Sequence, residues 1–173
     1  MTKDVLPDDW ADRHVARWRD HWLDISFEDD VEAIVVRMER LSKHFRTVKQ
    51  EALAGVGLQD FEYDTLHFLM IRDTPGHASP SALAADLRIS NAGMTGRLDA
   101  LETAGLVQRR AVADDRRRVD VEVTRKGAQV WRRAMDLRGR GEDEVVHVLS
   151  ASERATLAAL LKKMTLSVER PEE

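Results

Sequence analysis

The sequence contains no cysteine and only one tyrosine among its 173 residues. Without thiols the chain can form no disulfide bond, hold no thiolate-bound zinc and sense no oxidant through a thiol, and this fits a reducing cytosol. No apolar run approaches the roughly 18 residues that a membrane-spanning helix needs, and no apolar stretch follows a basic start. We therefore expect a soluble, cytoplasmic protein that has no membrane partner.

Motifs that mark catalytic chemistry are also missing. The sequence has no Gly-rich phosphate loop, no nucleophile elbow and no HExxH motif, so we expect no enzymatic activity and no cofactor. The six histidines do not follow the tight spacing of zinc ligands. The nearest to such a pair, His14 and His21, is two helical turns apart, so we expect no metal site.

The chain is rich in charge, and the charge is unevenly placed. Charged residues make up 34% and hydrophobic residues 43% of the sequence, which indicates a globular, mainly helical protein. The formal net charge is −4, yet residues 97–140 carry twelve Lys and Arg against seven Asp and Glu. A basic segment in an acidic chain is either a solvated face or a surface for an anionic partner.

Apolar residues recur at helical spacing along most of the chain. Asp8 and Asp9 can cap the first helix, and Ser150 with Glu153 forms a capping box at the start of the last. We expect the penultimate helix to loosen near Gly139 and Gly141. The long helices are predicted over residues 8–25, 30–53, 60–73, 125–147 and 149–168.

Between these long helices the pattern changes to a winged helix-turn-helix. Two short helices, 79–89 and 91–106, follow a TPGH turn, and the second helix is polar at its start and apolar later. Two strands follow, 106–112 and 119–124, and the loop ADDRRR separates them. Three adjacent arginines on a projecting hairpin repel one another unless a bound anion neutralises their charge. Arg116, Arg117 and Arg118 are therefore predicted to bind DNA phosphates or the minor groove.

The order of elements and several segments resemble the MarR family of bacterial transcriptional regulators. The segments are SALAADLRISNAGMTGRLDALETAGLV, the wing DDRRRVDVEVTRKG and the final LSASERATLAALLKKM. The resemblance implies a mainly α fold with a β-hairpin wing and an obligate-type homodimer with interlocked N- and C-terminal helices. It divides the chain into N-terminal helices (1–60), a DNA-binding domain (61–124) and C-terminal dimerisation helices (125–173). The partner that the resemblance implies is a pseudo-palindromic DNA operator, read through its major and minor grooves.

The start of the second short helix supplies the candidate base-reading residues. Asn91 can contact adenine, Thr95 a base or phosphate, and Ala92 or Met94 a thymine methyl group. Ser90 either contacts a phosphate or only caps the helix.

A narrower similarity concerns the tryptophan-bearing helix before residue 30 and the segments around YDTL and MTGRLDALE. These resemble the urate-responsive branch of the family, the UrtR-, PecS- and TamR-like regulators. The resemblance implies an effector site at Trp22, Asp64 and Arg97, with Trp18 as the alternative indole. Such a site suits urate, another purine or a small tricarboxylate. The structural alternative is a core tryptophan and an Asp64–Arg97 ion pair.

These inferences converge on a ligand-responsive regulator, a repressor that a small anionic effector releases from DNA. We expect it in the cytoplasm, associated with the nucleoid when it is bound. The competing interpretation is a winged-helix module that docks other proteins without binding DNA.

Overall fold

The structure is a computed structural model that describes the backbone of residues 6–21, 28–112 and 115–169. Side chains are described in the same ranges, apart from 20, 21, 111, 112 and 115–118. Within these ranges the elements are α1 (Trp10–His21), α2 (Asp29–Ala54), α3 (Asp60–Met70), β1 (His77–Ala78), α4 (Pro80–Asp86), α5 (Asn91–Thr103), β2 (Val107–Val112), β3 (Asp115–Val123), α6 (Arg125–Val146) and α7 (Ala151–Val168). The mainly helical winged fold is confirmed.

The chain divides into two compact units, residues 1–47 and 48–173. The three domains predicted from the sequence stay a prediction. In the first unit, α1 begins with the predicted acidic cap, because the carboxylate of Asp9 accepts a hydrogen bond from the backbone N–H of Asp12 at 3.0 Å. Arg37 of α2 donates to Asp9 at 2.9 Å and to Asp12 at 2.7 Å. The hydrogen bond from Arg37 holds the pKa of Asp9 well below its usual range.

The second unit has its core where α3, α4 and α5 meet the sheet. The sheet is antiparallel with the order β1-β3-β2. The core contains side chains with no solvent-exposed surface. They are Leu66, Leu69, Leu83, Met94, Leu98, Leu101 and Val121. Burial of such a side chain contributes about 1.5–3 kcal/mol, so this core fixes the helix-turn-helix firmly.

Gly105 ends α5 as predicted, and the physical reason is its φ of 71°. Its N–H donates to the carbonyl of Glu102 at 2.9 Å, and the N–H of Leu106 donates to the carbonyl of Leu101 at 2.8 Å. This pair of bonds is the Schellman arrangement, which needs a left-handed residue at that place. The chain therefore turns sharply from α5 into the wing.

The wing differs from its prediction in where the second strand begins. β3 starts at Asp115 rather than at residue 119, because Val112 pairs with Asp115 and an irregularity in register falls between Ala111 and Val112. Residues 116–118 therefore lie in the strand and not in the connecting loop. The predicted TPGH turn leads directly into β1, whose two residues are too few to show a periodic pattern.

The predicted loosening of the penultimate helix is wrong. The helix α6 runs without interruption through Gly139 and Gly141. A Cβ added at Gly141 would lie 2.5 Å from the Cγ1 of Val48, so the glycine there allows close packing of α6 against the last turns of α2. None of the described helices is both long and apolar enough to span a bilayer.

Candidate functional site

The start of α5 is the first part of the candidate site. The hydroxyl of Ser90 accepts a hydrogen bond from the backbone N–H of Gly93 at 3.1 Å, which is the helix cap that the sequence left open as an alternative role. Asn91, Ala92 and Thr95 are exposed on the following turn. The hydroxyl of Thr95 donates to the carbonyl of Asn91 at 3.0 Å, which keeps its oxygen lone pairs directed away from the helix.

Met94 must be removed from the predicted DNA-reading set. Its side chain is 0% exposed and packs in the core with Leu98 and Leu101, which follow it at helical spacing. A buried side chain cannot meet a thymine methyl group. The opposite face of α5 is correspondingly small and open, and a Cβ added at Gly96 would touch nothing within 4 Å.

The wing is the second part of the candidate site. Arg116, Arg117 and Arg118 fall within β3, and their side chains lie outside those that the structure describes. In the part of the hairpin with described side chains, Arg110 donates to Glu122 of β3 at 2.7 Å. The wing arginines remain predicted DNA contacts.

The predicted effector residues are not joined to one another in the structure. Asp64 is bonded to Lys49 at 2.9 Å, and Lys49 also contacts Asp60 at 3.0 Å. Arg97 instead lies over the ring of Phe61, with its guanidinium carbon 5.9 Å from the centroid. The alternative Asp64–Arg97 ion pair is therefore not formed.

The two tryptophans proposed for the effector site differ in what can be said of them. Trp22 lies outside the described residues. Trp18 lies on α1 in the first unit, where its ring meets that of His14 edge-on at 5.7 Å. The choice between the two indoles stays a prediction.

Lys49 is a residue that the sequence analysis missed. Its ammonium group lies between two carboxylates and 5.2 Å from the centroid of the Tyr63 ring. Burial opposes its charge, but the hydrogen bonds to Asp64 and Asp60 outweigh burial and raise its pKa. Lys49 is thus the ion-pair partner of Asp64, the carboxylate that was predicted to bind the effector.

A polar cluster connects α3 to α6 behind these residues. The hydroxyl of Tyr63 accepts a hydrogen bond from Arg138 at 2.9 Å, and the indole N–H of Trp131 donates to Nδ1 of His67 at 3.3 Å. The His67 ring stacks on that of Tyr63. Burial, and then the charge of Arg138, lower the pKa of His67. The neutral imidazole is therefore the form that accepts the indole bond.

A cleft of about 320 Å³ lies at the corner between α2 and α3. Its lining is apolar and amide-bearing, and its one charged lining residue, Asp60, is acidic. Neither Asp64 nor Arg97 lines this cleft. Among the described residues, no group of three or more His, Asp or Glu is placed to hold a metal ion.

A helix that follows a tight turn and exposes one face, together with a β-hairpin wing, is the architecture of a winged-helix DNA-binding regulator. A sequence profile described as MarR family matches residues 55–118. The chain is 30% identical over 152 residues to the HTH-type transcriptional regulator PecS of Dickeya dadantii (strain 3937), covering 87% of this chain and 89% of PecS. The chain belongs to the MarR family of transcriptional regulators.

Solved structures agree with this assignment. A point mutant of MarR from E. coli is 27% identical, with a TM-score of 0.61 over 76% of this chain and 93% of that one. The S. aureus MepR–DNA complex shares the fold at 22% identity, with a TM-score of 0.62 over 76% of this chain and 96% of MepR. Dimers are typical of the family.

Proposed function

We propose that this chain is an operator-binding homodimer, a repressor that a small anionic effector releases from DNA. The single observation that carries the proposal is the division of α5 into two faces. Its inner face is buried, and its outer face presents short polar and small side chains that can approach base edges closely. Another relative, YetL of Bacillus subtilis (strain 168), is a transcriptional repressor by name, and its 33% identity over 88 residues covers only 50% of this chain and 52% of YetL.

The dimer is supported by apolar surface that one chain leaves uncovered. The helix α7 has no buried residue, and its large apolar side chains are between 39% and 77% exposed. Apolar faces of this extent mark protein interfaces, and we propose that a second copy of this chain covers this one. A two-fold dimer would place two α5 helices about 34–36 Å apart, which matches successive major grooves on one side of a duplex.

The effector proposal is supported by Arg97. Arg97 is half-buried, its guanidinium lies over an aromatic ring, and no carboxylate of the described residues is within ion-pair distance of it. A planar cation in this setting suits a planar anion or a carboxylate. Because Arg97 belongs to α5, an anion that binds Arg97 would favour a different placement of α5, the helix proposed to read the DNA bases.

The test is a mobility titration with the purified protein and the DNA upstream of its own gene, with and without urate, xanthine, citrate and trans-aconitate. We expect a specific complex that one of these anions releases, and we expect Arg97→Gln to bind DNA but to resist release. The control is Arg140→Gln, which alters an exposed arginine of α6 paired with Asp136. Absence of binding at low salt would favour the protein-docking module instead.

The wing has its own test in the same assay. Replacement of Arg116, Arg117 and Arg118 by Gln should weaken binding to every DNA sequence and reduce the salt slope by about 0.9 for each phosphate that is no longer neutralised. Unchanged affinity would remove the wing from the proposed interface.

Repression has a separate test. Expression of a reporter under the protein's own promoter should rise when the gene is deleted if the regulator represses.

A further inference from the structure

Arg109, which the sequence analysis did not single out, joins the wing to the reading helix. It lies in β2, and its guanidinium contacts three successive turns of α5. It donates to Asp99 at 2.7 Å, to Glu102 at 2.8 Å and to the backbone carbonyl of Thr95 at 3.3 Å. These three residues lie along one side of α5, so a single side chain spans the half of the helix next to the wing.

Glu102 holds the backbone of Arg109 as well as its side chain. One carboxylate oxygen accepts from the guanidinium, and the other accepts from the backbone N–H of Arg109 at 3.0 Å. β2 is an edge strand in the described sheet, so this N–H has no neighbouring strand to bond. The carboxylate satisfies it and fixes the strand against the helix. Charge-assisted bonds of this kind are among the stronger and more directional ones.

The neighbouring arginine has a different set of contacts. Arg110 points to the other side of the strand, where it bonds Glu122 of the same hairpin, and its side chain is 66% exposed against 27% for Arg109. Arg110 therefore stays within the wing. Arg109 is the one of this pair that crosses from the wing to α5.

We propose that Arg109 is a positioning residue for DNA binding, which holds the wing at a fixed angle to α5 so that groove and wing contacts form together. The inference rests on the proposed operator binding. The core already fixes the inner face of α5 through Met94, Leu98 and Leu101, and Arg109 adds a fixed point on the side that faces the wing. A movement of α5 would then carry the wing with it.

The experiment compares Arg109→Met with the matched control Arg110→Met. Affinity is measured by fluorescence anisotropy for the operator fragment and for a scrambled fragment, each over a salt series. We expect Arg109→Met to lower operator affinity about ten-fold or more. Its affinity for scrambled DNA and its salt slope should match those of Arg110→Met. Arg109→Lys should recover little, since an ammonium group cannot bond Asp99 and Glu102 as a planar fork does.

A second variant keeps the test decisive if Arg109→Met fails to fold. Glu102→Gln removes a negative charge from a DNA-binding surface, so charge alone predicts tighter binding to all DNA. The positioning role predicts weaker operator binding and unchanged or tighter binding to scrambled DNA.

Two results would overturn the inference while leaving the proposed function intact. An equal decrease in affinity for both fragments, with a salt slope reduced by about 0.9, would make Arg109 a phosphate ligand. Equal behaviour of Arg109→Met and Arg110→Met would show that the contacts with α5 do not matter. A wild-type protein that prefers no DNA sequence would instead overturn the proposed operator binding.

Discussion

The helices α5 and α7 begin alike and end in different environments. Each starts at a serine whose hydroxyl accepts from the N–H three residues on, Ser90 from Gly93 and Ser150 from Glu153. From there α5 buries three apolar side chains in the core of its own chain, whereas α7 buries none. The two helices therefore obtain their stability from different partners.

An apolar stripe without a partner in its own chain indicates an intermolecular contact. In proteins most of a helix's stability comes from packing of its apolar face against a partner. The exposed stripe of α7 consists of Leu157, Leu160, Leu161 and Met164. We infer that α7 is stabilised by association and α5 by folding, and that the exposed face of α5 is thereby left for DNA.

The largest expected effect is dissociation of the dimer on charging α7. Leu161→Asp places a carboxylate in the apolar stripe, so we expect light scattering to report a monomer and operator affinity to collapse. Lys162→Asp is the control, because it introduces the same residue one position away. If Leu161→Asp stays dimeric, α7 is not the interface.

Truncation in the buried face of α5 should act through folding instead. Leu98 is fully buried, so Leu98→Ala should lower the free energy of unfolding by about 2–5 kcal/mol. Urea denaturation followed by circular dichroism measures it. Ile71→Ala, at a side chain 56% exposed after α3, should change stability by no more than about 0.5 kcal/mol. Similar decreases for both variants would contradict the assigned core.

The polar cluster between α3 and α6 should make stability depend on pH. The folded state lowers the pKa of His67 below its ordinary 6.5, so the unfolded chain binds the proton more readily. This contribution to stability is present above pH 6.5 and is lost as the pH falls, by at most about 1.4 kcal/mol per pH unit. Denaturation at several pH values should show a flatter profile for His67→Gln. His44→Gln, on the exposed surface of α2, should behave as the wild type does.

The smallest expected effect comes from a variant that distinguishes the stability of α5 from its role in DNA binding. Gly96→Ala should stabilise the helix by about 1 kcal/mol, because no atom lies within 4 Å of the new Cβ. Operator affinity should nevertheless fall, since the added methyl group stands on the face that we propose approaches DNA. Gly139→Ala of α6, equally open, should stabilise the chain to a similar extent and leave DNA affinity unchanged. Equal operator affinities of the two variants would show that DNA does not approach this face of α5.

Local signals in the sequence predicted much of this fold. The caps at Asp9, Ser90 and Ser150 and the stop at Gly105 depend on neighbouring residues only, and the structure confirms them. The burial of Met94 could also have been predicted from the sequence, because Met94 precedes Leu98 and Leu101 at helical spacing. The position of Met94 near the start of α5 favours DNA contact, but the apolar periodicity places its side chain in the core instead.

Contacts between distant residues could not be predicted in the same way. Lys49 and Asp64 meet across the turn between two helices, and Arg109 meets Asp99 only after the chain has reversed at Gly105. A chain with 27 basic and 31 acidic residues offers many such pairs. Only the packing of the elements selects among them.

The most direct test of the account is a hydroxyl-radical footprint of the wild-type protein on the DNA upstream of its own gene. Two copies joined through their terminal helices, each presenting one α5, should protect two symmetric patches centred about 10–10.5 base pairs apart, or a multiple of that spacing. A single protected patch, or protection without two-fold symmetry, would contradict the assignment of α7 to dimerisation and α5 to DNA.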